Sequence, residues 1–131
     1  MNLLVIMSHS LSDTQMEEAK EVLKVNCIKT LPSPLQEVWS NIDPEGELPT
    51  DVLEPIKDWI LKESDEKDYV LVQGEFGATF YIVDYCFNMD RIPIYATTKR
   101  EVEEKVEGDK TITYRTFKHV NFRRYIRNHK C

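Results

Sequence analysis

The sequence predicts a single α/β domain with a mainly parallel sheet flanked by helices and a C-terminal β-hairpin. Three observations carry this expectation. Short apolar runs suited to buried strands alternate with stretches of helical periodicity over residues 1–95. The chain has 131 residues, 41% of them hydrophobic, which is enough for one core and too few for two. Near the C-terminus, Gly108-Asp109 stands between two arms of strand character.

Residues 2–7 read as a central strand, because Leu3, Leu4, Val5 and Ile6 are apolar on both faces. Ser12 or Asp13 then caps a helix whose inner side is Met16, Ala19, Val22 and Leu23. Residues 26–30 form a second short strand. Beyond Pro32 and Pro34, the residues Leu35, Val38 and Trp39 are the apolar side of a brief helix. After the turn Asp43-Pro44-Glu45-Gly46, Val52, Ile56, Trp59 and Ile60 mark a helix over residues 50–62. Residues 65–68 read as a charged surface connection, and Tyr69-Val70-Leu71-Val72 as the next buried strand. Residues 78–89 are apolar nearly all round, which predicts a buried helix. Residues 92–95 form a fourth strand. Residues 101–107 and 110–117 are the hairpin's two arms, although the first has helical propensity as well. Residues 119–126 are short and amphipathic, and their class stays open.

Composition narrows the function. No segment approaches the roughly eighteen apolar residues of a membrane span, and no secretory signal opens the chain, so a cytoplasmic protein is expected. Cys27, Cys86 and Cys131 lack the close spacing of structural zinc sites and read as reduced thiols. The net charge of -6 is unevenly spread: residues 110–131 hold seven basic residues and no acid, whereas residues 1–109 hold ten basic and 23 acidic ones. A local basic surface on an acidic body suits a compact anion and is a poor match to long DNA or RNA; a solvated basic tail is the plainer alternative.

In an open parallel sheet, ligands bind beyond the carboxyl ends of the strands. That edge is polar throughout: Ser8, His9 and Ser10 after the first strand, Gln73 to Thr79 after the third, Thr97, Thr98, Lys99 and Arg100 after the fourth. Gly74 and Gly77 allow close backbone approach, and the amides opening the next helix, around Phe76, Gly77, Ala78 and Thr79, form a candidate phosphate cradle. Gly-x-x-Gly also serves simple turns, and Glu75 would repel an anion if it faced the pocket. Two hydroxyls and two cations at residues 97–100 suit phosphate oxygens, or else a solvated turn. His9 and its serines lack a nucleophile elbow, so hydrogen bonding is their expected role. His119 is a proton donor, a phosphate contact or a surface residue. Trp39 is by default a core residue; with Gln36 beside it, after the second strand, it is also a candidate platform for an adenine. The scattered histidines form no metal motif.

Taken in order, five segments resemble a small family of stand-alone CRISPR-associated proteins: Met7-Ser8-His9-Ser10-Leu11; Leu31-Pro32 with Leu35-Gln36 and Trp39-Ser40; Gln73-Gly74-Glu75-Phe76-Gly77-Ala78-Thr79; Tyr95-Ala96-Thr97-Thr98-Lys99-Arg100; and Phe117-Lys118-His119-Val120-Asn121-Phe122-Arg123-Arg124-Tyr125. Its members resemble the CRISPR-associated Rossmann-fold (CARF) domains, accompany type III CRISPR systems, and are similar to ring nucleases that linearise cyclic oligoadenylate messengers. Glu75 departs from the aspartate expected there.

The resemblance implies a CARF-like domain over the whole chain that opens cyclic tetra-adenylate without metal or other cofactor. The ribose 2′-hydroxyl attacks the adjacent phosphorus, giving a 2′,3′-cyclic phosphate and a free 5′-hydroxyl. It further implies that Arg123 or Lys99 stabilises the transition state, with His119 a possible general acid. Ser8, His9 and Ser10 would touch ribose or phosphate, Gly74 to Thr79 would form the cradle, and Thr97 to Arg100 would bind phosphate. A homodimer with the ring on its two-fold axis follows from the ring's symmetry. The alternative is a sensor or sponge of the same fold that binds the ring uncut.

Overall fold

The computed structural model describes residues 1–128. The elements run β1 (Asn2–Ile6), α1 (Asp13–Glu21), β2 (Cys27–Thr30), α2 (Ser33–Ser40), α3 (Thr50–Glu63), β3 (Tyr69–Val72), α4 (Phe76–Asn88), β4 (Ile92–Glu107) and β5 (Lys110–Arg124). They form one five-stranded sheet in the order β2-β1-β3-β4-β5. Four strands are parallel and β5 runs antiparallel to β4. The chain builds outward from β1 to β2, then crosses back to β3, so strand order reverses between β1 and β3. Lys130 and Cys131 lie outside the described residues.

Alternation along β1 divides the core. Leu3 and Val5 face α1, where Met7, Ala19, Val25, Leu71, Ile94 and Phe122 complete one cluster. Leu4 and Ile6 face the other way, into a larger cluster of Trp39, Leu53, Ile56, Trp59, Ile60, Val70, Val72, Ala78, Ile82 and Cys86. One helix therefore covers one face and three cover the other.

Local chemistry sets the helix starts. Ser12 and Gln15 form a reciprocal capping box at α1, which ends at Glu21 and leaves Val22 exposed rather than packed. In α3 the inward residue of the first turn is Leu53, fully buried, while Val52 is partly exposed. Asp68, expected at the surface, is buried and braces the start of β1. It accepts from Asn2 N at 3.1 Å, Asn2 Nδ2 at 2.9 Å and Asp65 N at 2.9 Å. Burial by itself would raise its carboxyl, but these hydrogen bonds prevail and hold it below its ordinary value.

Helix α4 is not buried all round: Phe76 and Phe80 project into solvent opposite Ala78, Ile82 and Cys86. The hairpin is present and longer than expected. Gly108 takes φ 63° in the two-residue turn, and β5 continues through Arg124, settling the class of residues 119–124 as strand. A bulge leaves Val120 unpaired between Thr97↔Asn121 and Thr98↔His119. No helix among the described residues is long and apolar enough to cross a membrane.

Candidate functional site

The loops that end β1 and β3, together with the root of the β4–β5 ribbon, open clefts on both faces of the sheet, so the residues singled out from the sequence are divided between them. On the α1 side, His9, Ser10, Ser12, Thr14, Thr98 and His119 line a cleft of about 560 Å³. His119 is held from below: its Nε2 lies 2.5 Å from Glu18 Oε1, and the side chain is buried against Phe122. The other Glu18 oxygen accepts from Phe122 N at 2.8 Å. The imidazole Nδ1 is buried without a partner. A neighbouring cleft of about 230 Å³ shares His9 and Ser10 and adds Ser8 and Gln36. There Gln36 Nε2 donates to Met7 O at 2.6 Å, tying α2 to the end of β1.

On the α4 side, Gln73, Gly74, Phe76, Thr79, Tyr95 and Tyr125 line a cleft of about 250 Å³. Its walls are aromatic. The Tyr95 and Tyr125 rings lie 4.8 Å apart, and Phe76 is 93% exposed. The Tyr125 hydroxyl donates to Val72 O at 2.6 Å, and burial pushes it up to about 12, so it remains a donor. Gln73 braces the floor by accepting from Ala96 N at 2.7 Å. Thr79 Oγ1 is buried with no partner. Arg123, paired with Tyr95 across β4 and β5, lies over its ring at 5.9 Å and makes no ion pair among the described residues. A flat base and a phosphate oxygen are the ligand groups these walls suit.

Two expected features are arranged differently. The cradle at the start of α4 is occupied from within, because the Glu75 carboxylate accepts from Gly77 N and, at 3.1 Å, from Ala78 N. A phosphate would have to displace it. Trp39 is 2% exposed and donates Nε1 to Gln73 O at 2.9 Å, so its indole is a core wedge and not a stacking platform. Gly74 serves that wedge: a Cβ there would meet Trp39 Nε1 at 2.7 Å.

Residues 97–100 are not a turn but the root of the β4–β5 ribbon, where successive side chains face opposite ways. Thr97 Oγ1 donates to Asn121 and stabilises the bulge, Thr98 lines the α1-side cleft, and Lys99 and Arg100 are exposed. Lys118 and Arg127 are paired with Glu101 at 3.1 Å and Asp84 at 2.8 Å. His119 and Arg123 lie on opposite faces, since His119 meets α1 while Arg123 meets Tyr95. Within one chain they are therefore not side by side.

Tyr95, Tyr125 and Glu18 went unnoticed as site residues. Glu18 lies three residues from Gln15 and next to Ala19, on the inward stripe of α1, where a carboxylate signals a buried partner. Among the described residues no group of three His, Cys, Asp or Glu could hold a metal ion.

Fold and clefts together define a mostly parallel α/β domain with ligand-type pockets along its strand-end edge. Residues 1–123 match the pattern of the uncharacterized protein MJ1673 family, to which the chain belongs. It is 43% identical over 123 residues to uncharacterized protein MJ1673 of Methanocaldococcus jannaschii, covering 94% of this chain and 95% of that one. No solved structure matches significantly.

Proposed function

We propose that this chain is a ring nuclease with a CARF-like, Rossmann-type fold, which binds a cyclic oligoadenylate, cyclic tetra-adenylate above all, and linearises it to quench type III CRISPR signalling. The observation that carries the reading is Arg123, a cation without an ion pair among the described residues, laid over Tyr95, whose ring lines an aromatic cleft beyond β3. An adenine stacks against Phe76 or Tyr95 while the guanidinium meets the neighbouring phosphate. Clefts on both faces of one edge suit a ligand with several bases and phosphates better than a mononucleotide.

In the proposed reaction the 2′-hydroxyl attacks phosphorus and gives its proton to water, the bond from phosphorus to the 5′-oxygen breaks and that oxygen takes a proton from water, and Arg123 meets the charge that grows on the phosphate oxygens. Lys99, exposed at the ribbon root on the face that carries Tyr95, holds a second phosphate. Two copies about a two-fold axis offer the same loops to both halves of the ring. A second reading, a binder that leaves the ring intact, draws support from His119. Glu18 already engages its Nε2, which leaves only a buried Nδ1 to act as an acid.

Incubation with cyclic tetra-adenylate in excess EDTA, followed by chromatographic and mass analysis, tests both readings. Linear products ending in a 2′,3′-cyclic phosphate are expected. An intact ring after many equivalents refutes cleavage, and its stoichiometric retention supports the binder. Arg123→Ala is expected to slow single-turnover cleavage by about 10²–10³-fold. Its effect on ring affinity is smaller, within about tenfold.

A further inference from the structure

The first residue beyond β3 is pinned at three points. Gln73 N donates to Ile6 O at 3.0 Å, Gln73 O accepts from Trp39 Nε1 at 2.9 Å, and Gln73 Oε1 accepts from Ala96 N at 2.7 Å. Register pairing of β3 with β4 ends earlier, at Leu71↔Ile94, so the side-chain carbonyl takes the place of a main-chain acceptor beside Ala96.

A backbone amide only donates, so the atom that faces Ala96 N is the amide oxygen, and the side-chain NH2 of Gln73 is turned away from it. That nitrogen has no hydrogen-bond partner among the described residues, and Gln73 lines the aromatic cleft with Phe76, Tyr95 and Tyr125. The other polar side chains of the cleft are less suited to reading a ligand. The Tyr125 hydroxyl commits its proton to Val72 O, the Thr79 hydroxyl is sealed from solvent, and no hydrogen bond among the described residues holds the Tyr95 hydroxyl. Gln73 therefore presents a donor, and no acceptor, in a fixed position that needs little ordering on binding.

A fixed donor tells bases apart at their ring nitrogens. When a base stacks on Tyr95 or Phe76 with its phosphate on Arg123, Gln73 at the floor of the cleft meets the edge farthest from the ribose, which is the Watson–Crick edge. In adenine that edge offers N1 as an acceptor. In hypoxanthine and guanine N1 carries a hydrogen, which would meet the Gln73 N–H donor to donor, and N3 of uracil does the same. Cytosine has an acceptor at N3, but its single ring covers less of the aromatic walls.

We propose that Gln73 selects the base in this cleft: its Nε2 donates to N1 of a 6-aminopurine and turns 6-oxopurines away. The inference rests on the reading of the cleft as a nucleotide site and adds to it the residue that sets its specificity. Gln73→Glu should reverse the choice, because one carboxylate oxygen keeps the hydrogen bond from Ala96 N while the other offers an acceptor to an N1–H.

Titration of the isotope-labelled full chain with adenosine monophosphate (AMP), inosine monophosphate (IMP) and 1-deaza-AMP, which lacks only the N1 nitrogen, tests it by two-dimensional amide NMR. AMP should bind at least about tenfold more tightly than either analogue and should move the Gln73 side-chain NH2 resonance. In Gln73→Glu the order of AMP and IMP should invert; the added charge acts on both phosphates alike, so their ratio is the readout. Gln73→Met, which keeps the length and loses the donor, should bring the two to near parity. Equal binding of all three by wild type, or an AMP preference that survives in either variant, would overturn the proposal. Cyclic tetra-adenylate, titrated and incubated in parallel, separates this result from the ring-nuclease reading. An AMP preference that inverts in Gln73→Glu, with the ring neither bound nor opened, upholds the base reader and refutes the ring nuclease; a ring that is opened while AMP and IMP bind alike does the reverse. Unmoved cleft resonances with every one of these nucleotides would overturn both.

Discussion

Gly74→Ala separates a structural glycine from a ligand-cradling one. An ideal Cβ at this position lies 2.7, 2.8 and 2.9 Å from Trp39 Nε1, Cε2 and Cζ2. The indole cannot retreat freely, being 2% exposed and packed among Leu4, Ile6, Leu53 and Val72. Overpacking of this kind costs about 1–3 kcal/mol. Shifting the indole also weakens its hydrogen bond to Gln73 O, worth about 0.5–1.5 kcal/mol. The expected loss is about 2–4 kcal/mol, a fall of roughly 1–2 M in the urea midpoint for a slope near 2 kcal/mol/M. The partner is identified by a double-mutant cycle with Trp39→Phe, whose smaller ring lacks the atoms in conflict. The alanine should cost at least about 1 kcal/mol less in that background. A midpoint unchanged from wild type, or an equal loss in both backgrounds, would refute the assignment.

Thr79→Val replaces a buried, unpartnered hydroxyl with a methyl group and should leave stability unchanged or raise it by up to about 1 kcal/mol, while weakening binding of cyclic tetra-adenylate. A clear drop in the urea midpoint would show that the hydroxyl already has a partner. Asp68 has its folded carboxyl held below the ordinary 3.8, so its contribution is complete above that range and is lost as pH falls through the lower folded value. Asp68→Asn should therefore cost about 1–3 kcal/mol at pH 7, with the gap from wild type closing in acid. A gap independent of pH down to about 2 would contradict the sign. Burial pushes the Cys86 thiol up to about 12, while Cys27 is exposed. Iodoacetamide should accordingly alkylate Cys27 in the native protein and reach Cys86 only after unfolding, as peptide mass mapping would report.

The strands were legible because burial on two faces leaves a plain mark: Leu3 to Ile6 and Tyr69 to Val72 are unbroken apolar runs, and both are central. The strand-end rule likewise found the loops that open the clefts. What escaped depends on partners far along the chain. Asp68 looks like part of a solvated charge run until Asn2, 66 residues away, fixes it. Glu75 looks like an obstacle to an anion, and it is instead the cap that takes the anion's place. Helix α4 is apolar nearly all round, and composition cannot distinguish a side chain facing the core, such as Ile82, from one left in solvent, such as Phe80. The division of residues 97–100 between two faces follows from their lying on a strand that the sequence ended at Tyr95.

Glu18 has a consequence for how the chain is made. Its two oxygens reach His119 and Phe122, 101 and 104 residues downstream, and Phe122 also completes the cluster around Leu3, Val5 and Ala19. The α1 face of the sheet thus stays unfinished until nearly the last residues of β5 have left the ribosome. Contacts of such long sequence separation form late and slow the search for the native state. Until they close, a nascent chain holds its first strand and first helix in a half-built interior, exposed to chaperones and to premature association.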